Sequence, residues 1–186
     1  VTFIARDGSL LAFDTGPGNA PLDYWMLRHT GNADDRDGKC AMTGCVDYAI
    51  HARLMAHPYF VAEPPKSLDR NFFEAGSLVT LSVENGAATL AAFTAEAVAR
   101  AAAFAPEPPG MWIVCGGGRH NRAIMAGLGE RLSGAVMTAE QAGFDGDAVE
   151  AEAWAYLGVC ALKGLAITFP RTTGVAEAMT GGVVTS

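Results

Sequence analysis

The most chemically suggestive stretch is Leu10-Leu11-Ala12-Phe13-Asp14-Thr15-Gly16-Pro17-Gly18-Asn19, an apolar run that ends in a carboxylate and turns through two glycines around a proline. A strand, a tight turn and a helix in succession bring an acid and free backbone N–H groups to one point. That arrangement suits holding a phosphate and moving a proton beside it. Asp14 is a candidate general base there, kept ionised by neighbouring N–H groups. An Asp that only ties down its own turn has the same pattern. Gly16 and Gly18 let the backbone approach a ligand or take a positive φ, and turn geometry alone explains many such pairs.

A second glycine turn, Cys115-Gly116-Gly117-Gly118, follows a short apolar run and precedes a helical pattern. Its spacing matches neither a Walker A loop nor a dinucleotide fingerprint. In that position it can let a flat or anionic ligand lie against the backbone. Asn121 either caps the next helix or contacts such a ligand, and His120 is the one histidine placed to take part. Glu150 shares a helical face with Trp154, Leu157 and Ala161. It either closes a capping box opened by Asp147 or projects into a cleft. Lys66, after Pro64-Pro65, is either a solvated loop charge or an anion contact. The stretch Ala12-Phe13-Asp14-Thr15-Gly16 also matches an aspartic-protease signature, but those folds are all-β and pair two such aspartates, whereas this chain has one Asp-Thr-Gly and several Ala-rich helices.

These residues need elements to position them. Thr2–Ala5 and Leu10–Phe13 flank Arg6-Asp7-Gly8-Ser9, a hairpin signal. Asn19 is expected to cap a helix running to about Thr30, with Leu22, Trp25 and Met26 as its buried stripe. Gly31 to Gly44 reads as a solvated loop, since its acids lack the bidentate Glu of a calcium loop. Val46 to His57 reads as a helix carrying Ile50 and Leu54. Asn85 to Phe104 is the strongest helix, with Leu90, Phe93, Ala97, Ala101 and Phe104 inward and Thr89, Glu96 and Arg100 on the other side. Met111–Cys115 reads as a strand buried on both faces, followed by a helix from Asn121 to Leu132, a strand at Ala135–Met137 and a helix from Ala148 to Lys163 capped by Asp147. Strands alternating with helices predict an α/β domain with a mixed sheet flanked by helices.

With 186 residues, half of them hydrophobic and 18% charged, the chain suits one globular domain. A net charge of −7 without a basic stretch argues against nucleic acid as a partner. No uninterrupted apolar run approaches about 18 residues, so no membrane association is expected. The cysteines Cys40, Cys45, Cys115 and Cys160 form no C-x-x-C pair and predict no metal site, and they read as reduced thiols of a cytoplasmic protein.

Taken together, the two turns resemble motifs of the anhydro-N-acetylmuramic acid kinase family. The resemblance is carried by Leu11–Asn19, by Val114-Cys115-Gly116-Gly117-Gly118 with Asn121, by Pro58-Tyr59-Phe60 with Pro64-Pro65-Lys66-Ser67, by Ala88-Thr89-Leu90 with Ala92-Phe93-Thr94, and by Gly146-Asp147-Ala148-Val149-Glu150-Ala151. It implies an RNase H-like lobe of the sugar kinase/actin/Hsp70 type, with residues 1–186 forming the second, C-terminal lobe and the first lobe lying outside this sequence. It implies an ATP-dependent enzyme of cell-wall recycling, which opens the 1,6-anhydro ring of anhydro-N-acetylmuramate with water and phosphorylates O6. Asp14 would activate that water. Gly16, Gly18 and Asn19 would form a phosphate loop, Gly116, Gly117, Gly118 and Asn121 would line the nucleotide site, and Glu150 would approach the sugar. ATP and Mg²⁺ are the implied cofactors, with the metal ligands on the other lobe, and a homodimer is an implied assembly. This lobe alone is expected not to turn over. The competing expectation is a non-catalytic nucleotide-binding or interaction module of the same fold. After Ser67 the family continues Thr-Gly-Arg-Glu, and here Leu68-Asp69 precede Arg70 and Asn71.

Overall fold

A computed structural model of the chain describes residues 1–69, 72–73 and 80–183. Its centre is one long helix. Ser82 caps it by accepting from Asn85 N–H, and α3 then runs Val83–Ala101 before tightening into a 3₁₀ turn at Ala102–Phe104. Leu90, Phe93, Ala97 and Ala101 are buried as their spacing predicts. Thr89 is buried too, contrary to expectation, because helices pack on more than one side of α3. Its hydroxyl donates to Asn85 O and accepts from Asp47 N–H, so it enters the core with its polar atom satisfied. By length and composition Val83–Phe104 would qualify to cross a membrane, although no uninterrupted apolar run of that length exists. In this fold it is the core helix, with no exposed surface on Phe93 or Ala95.

Helix α1, Ala20–Thr30, packs on α3 through Leu22, Trp25 and Met26, the stripe read from periodicity. The contact is close: a Cβ on Gly86 would run into the Trp25 ring, whose Nε1–H donates to Val83 O. Helix α2 is shorter than expected, Tyr48–Met55, because Asp47 caps it by accepting from Ile50 N–H. It buries Ile50 and Met55. The loop before it is not simply solvated. Asp35 is buried and accepts from the N–H groups of Cys40 and Ala41, folding the segment into two 3₁₀ turns.

The β-structure falls into two small sheets flanked by these helices. Strands β1 (Thr2–Ile4) and β2 (Leu10–Ala12) pair antiparallel around the Asp7-Gly8 turn. Strands β3 (Met111–Val114) and β4 (Ala135–Thr138) pair parallel, joined through α4 (Arg122–Arg131) as a βαβ unit. Phe3 of β1 lies edge-on to Trp112 of β3, with ring centroids 5.6 Å apart, and both belong to a second core cluster with Leu11, Phe13 and Ala101. Strand β3 is not buried on both faces as expected. Trp112 faces inward, while Met111 is 53% exposed beside a groove between β1 and β3.

Helix α5 spans Val149–Leu162 and α6 spans Pro170–Thr173. Asp147 does not cap α5, and the predicted capping box with Glu150 does not form. Asp145 accepts from Asp147 N–H and Ala148 N–H in its place, since the Asp147 carboxylate is taken by Arg119.

Candidate active site

Strand β2 delivers Asp14 to the surface, and one neighbouring segment holds it at three points. Its N–H donates to Lys66 O at 3.0 Å. Its carbonyl accepts from the Tyr59 hydroxyl at 2.7 Å. Its carboxylate Oδ2 accepts from Leu68 N–H at 2.8 Å. The side chain is exposed, so a carboxylate in fixed orientation faces solvent at the end of a strand. Burial, reinforced by the negative charge of Asp14, pushes the Tyr59 phenol up to about 12, which keeps it a hydrogen-bond donor across the neutral range.

Lys66 is neither a solvated charge nor an anion contact. Its ammonium donates to Tyr59 O and Ala62 O, and lies 4.6–5.5 Å from the ring centroids of Phe13, Tyr59 and Phe104. Desolvation in that cage lowers its pKa, opposed by Glu63. Lys66 therefore closes the loop that carries the Asp14 partners, by charge-assisted bonds and cation–π contacts.

The glycines of the first turn have structural reasons of their own. Gly18 has φ 61°, a left-handed conformation, and its carbonyl accepts from the Thr94 hydroxyl of α3 at 2.7 Å. A Cβ on Gly16 would stand 3.0 Å from Ala97 Cβ. Asn19 occupies the N-cap position of α1 but does not cap it. Its Nδ2 donates to Asp23 Oδ2 at 3.0 Å, because a carboxylate one turn away is the stronger acceptor. Asn19 thus gives the first turn of α1 no side-chain cap, at the positive end of the helix.

The second turn follows the C-terminal end of β3, the edge at which parallel sheets bind ligands. Gly116 has φ 71°, and Gly117–His120 form one 3₁₀ turn. Asn121 is the cap of α4: its Oδ1 accepts from Ala123 and Ile124 N–H, and it is buried. The two turns meet. A cleft of about 590 Å³ opens between them, lined by Asn19 of the first turn, by Gly117, Gly118, His120 and Asn121 of the second, and by Leu22 and the 33–37 loop. Its walls carry Asp23, Asp34, Asp35 and Asp37, with Asp34 paired to Arg36, Asp37 paired to Lys39, and Asp35 accepting from the N–H groups of Cys40 and Ala41. Asp14, Gly16, Gly18 and Gly116 are not among the lining residues, and neither is Glu150, which stands exposed on α5.

Comparison with known proteins bears on this arrangement. A family model described as anhydro-N-acetylmuramic acid kinase matches residues 1–186. The chain belongs to the anhydro-N-acetylmuramic acid kinase family. It is 50% identical to the anhydro-N-acetylmuramic acid kinase of Methylorubrum populi over 98% of this chain and 48% of that protein. It is 52% identical to the one from Caulobacter vibrioides over 98% of this chain and 49% of that protein, and 46% identical to the one from Agrobacterium fabrum over 99% and 50%. The chain thus spans about half the length of these curated relatives.

Within this member of the family, sequence reasoning missed several residues at the site. Tyr59 and Leu68 hold Asp14, Thr94 holds Gly18, and Arg119 holds the second turn by donating to Gly116 O at 2.9 Å. Tyr59 and Thr94 stand in stretches that carry the family resemblance, as does Lys66, but nothing in those stretches pointed to their partners. Leu68, where the sequence departs from the family pattern, serves Asp14 through its backbone, which any residue but proline supplies. Arg70 and Asn71 lie outside the described residues.

Proposed function

We propose that this chain supplies the base-bearing, nucleotide-lining lobe of an ATP-dependent kinase that opens the 1,6-anhydro ring of anhydro-N-acetylmuramic acid and phosphorylates O6, in cytoplasmic cell-wall recycling. The observation that carries the reading is the fixed, solvent-facing carboxylate of Asp14 beside a helix start that Asn19 does not cap. In this reading Asp14 takes a proton from water. The water oxygen bonds to C1 as the C1–O6 bond breaks. O6 then attacks the γ-phosphoryl group of ATP, ADP leaves, and the proton passes to solvent. Gly16, Gly18 and Asn19, with the start of α1, would face the phosphates.

The adenosine end would lie in the cleft against Gly117 and Gly118, with Gly116 and Asn121 shaping the wall. The cleft volume falls in the range of small-molecule sites. Gly118 supports this assignment: it has no positive φ, and among the described residues a Cβ there would meet nothing within 4 Å, so no contact with them calls for glycine. Glu150 would approach the sugar. Mg²⁺ would accompany ATP. Among the described residues no group of three or more His, Cys, Asp or Glu is placed to hold a metal, and the steps assigned to this chain do not run through one.

The same reading takes residues 1–186 as one RNase H-like lobe, the second of two. The adjacency of β1 and β3 through Phe3 and Trp112 supports it, since it sets both small sheets side by side. Transfer requires groups on both sides of the nucleotide, so this lobe alone would not turn over. Calorimetry with ADP tests the nucleotide assignment. Binding weakened at least tenfold by Gly118→Ala supports it, and binding unchanged by that substitution contradicts it.

A further inference from the structure

Arg119 is the most deeply committed charge near the site. Its side chain is 2% exposed. Nη1 donates to Gly116 O at 2.9 Å, Nε to Glu140 Oε1 at 2.7 Å, and Nη2 to Asp147 Oδ1 at 2.7 Å. These acceptors lie on three separate segments: the second glycine turn, the residues after β4, and the entry to α5. The fit leaves no room for a side chain at Gly146, where a Cβ would collide with the guanidinium. Asp147, drawn to Arg119, gives up the capping role its position predicts, and it precedes Glu150 by less than one helical turn. The planar guanidinium is charged at every accessible pH and presents a rigid fork of donors, so it fixes the relative orientation of what it binds. Glu140 is accordingly held at about 2, by backbone N–H first and by Arg119 second.

We propose that Arg119 is a positioning residue that locks the 116–121 turn and the 145–150 entry of α5 into one unit, so that nucleotide at the turn orders the helix start bearing Glu150. The consequence for catalysis rests on the proposed function above. The mechanical link does not, and it is tested without ligand.

The experiment is amide hydrogen exchange of this chain read by mass spectrometry. In Arg119→Met, exchange across 145–152 is expected to accelerate at least tenfold, with α3 peptides unchanged. Asp147→Asn, which weakens one arm at an exposed carboxylate, is expected to release 145–152 while leaving 116–121 protected, and it decides the matter should Arg119→Met fail to fold. Unchanged exchange across 145–152 in these variants, or equal acceleration in α3, overturns the link. Saturating ADP is then added. Protection at both segments in the parent, reduced to 116–121 alone in Arg119→Met or Asp147→Asn, is the expected signature, which a merely structural role would not give. Protection of both segments in those variants overturns the proposal. Absence of protection at 116–121 in the parent counts against the nucleotide reading instead, and the ligand-free result still decides the role of Arg119.

Discussion

Leu68 N–H donates to Asp14 Oδ2 at 2.8 Å, across 54 positions of sequence. The bond does two things to the carboxylate. It fixes the side-chain rotation, and it occupies the oxygen facing the 59–68 segment. The orientation of the carboxylate thus comes from a backbone amide whose own loop is closed by Lys66, which is what the base role proposed for Asp14 would require.

Lys66→Ala should therefore loosen the loop that holds Asp14. The substitution removes two charge-assisted bonds to carbonyls and three ring contacts at a half-buried site. We expect a loss of about 1–2 kcal/mol of stability. Urea denaturation measures it, and a midpoint equal to the parent's would show that the aromatic cage contributes nothing.

Tyr59 makes a pH prediction with a definite sign. Its folded-state pKa lies near 12, above the ordinary phenol value of 10.0. The folded chain keeps a proton that the unfolded chain releases, so the Tyr59 contribution is complete below pH 10 and declines between pH 10 and about 12. Thermal melts of the parent and of Tyr59→Phe should converge over that interval. Curves that stay parallel from pH 8 to 11 would contradict the assignment.

Two glycines should behave oppositely. Gly86→Ala forces a methyl group into the Trp25 ring across the α1–α3 contact and should cost about 2–3 kcal/mol. Gly118→Ala meets open space and should leave the melting temperature within about 1 °C, corresponding to a stability change well under 0.5 kcal/mol. A large loss of stability at Gly118 would mean that its glycine serves the fold and not a ligand.

The contrast shows what was legible in the sequence. Leu22, Trp25 and Met26, and Leu90, Phe93 and Ala97, were readable because apolar periodicity reports the face a helix buries. The Asp7-Gly8 hairpin was readable because a tight turn is local chemistry. Caps were only partly readable: Asn121 takes the capping one of its two expected roles, Asp47 caps where a helix interior was expected, and Asn19 turns to Asp23 of its own helix and Asp147 to the distant Arg119. Thr89 was misread because a central helix has no outer face. The aromatic cage of Lys66 is assembled from residues 13, 59 and 104, a juxtaposition that periodicity does not encode. Asp14 and the glycine turns stood out by their residue types, but what fixes them comes from segments distant in the chain.

The role proposed for Asp14 as the base can be measured directly. The direct measurement is steady-state turnover of Asp14→Asn in a full-length kinase of the family carrying these residues, with ATP affinity measured in parallel. The amide keeps the shape and can still accept from Leu68 N–H, but it cannot take a proton from water. The expected result is a fall in kcat of about 10²- to 10⁴-fold with ATP affinity nearly unchanged. Turnover within a few fold of the parent would contradict it.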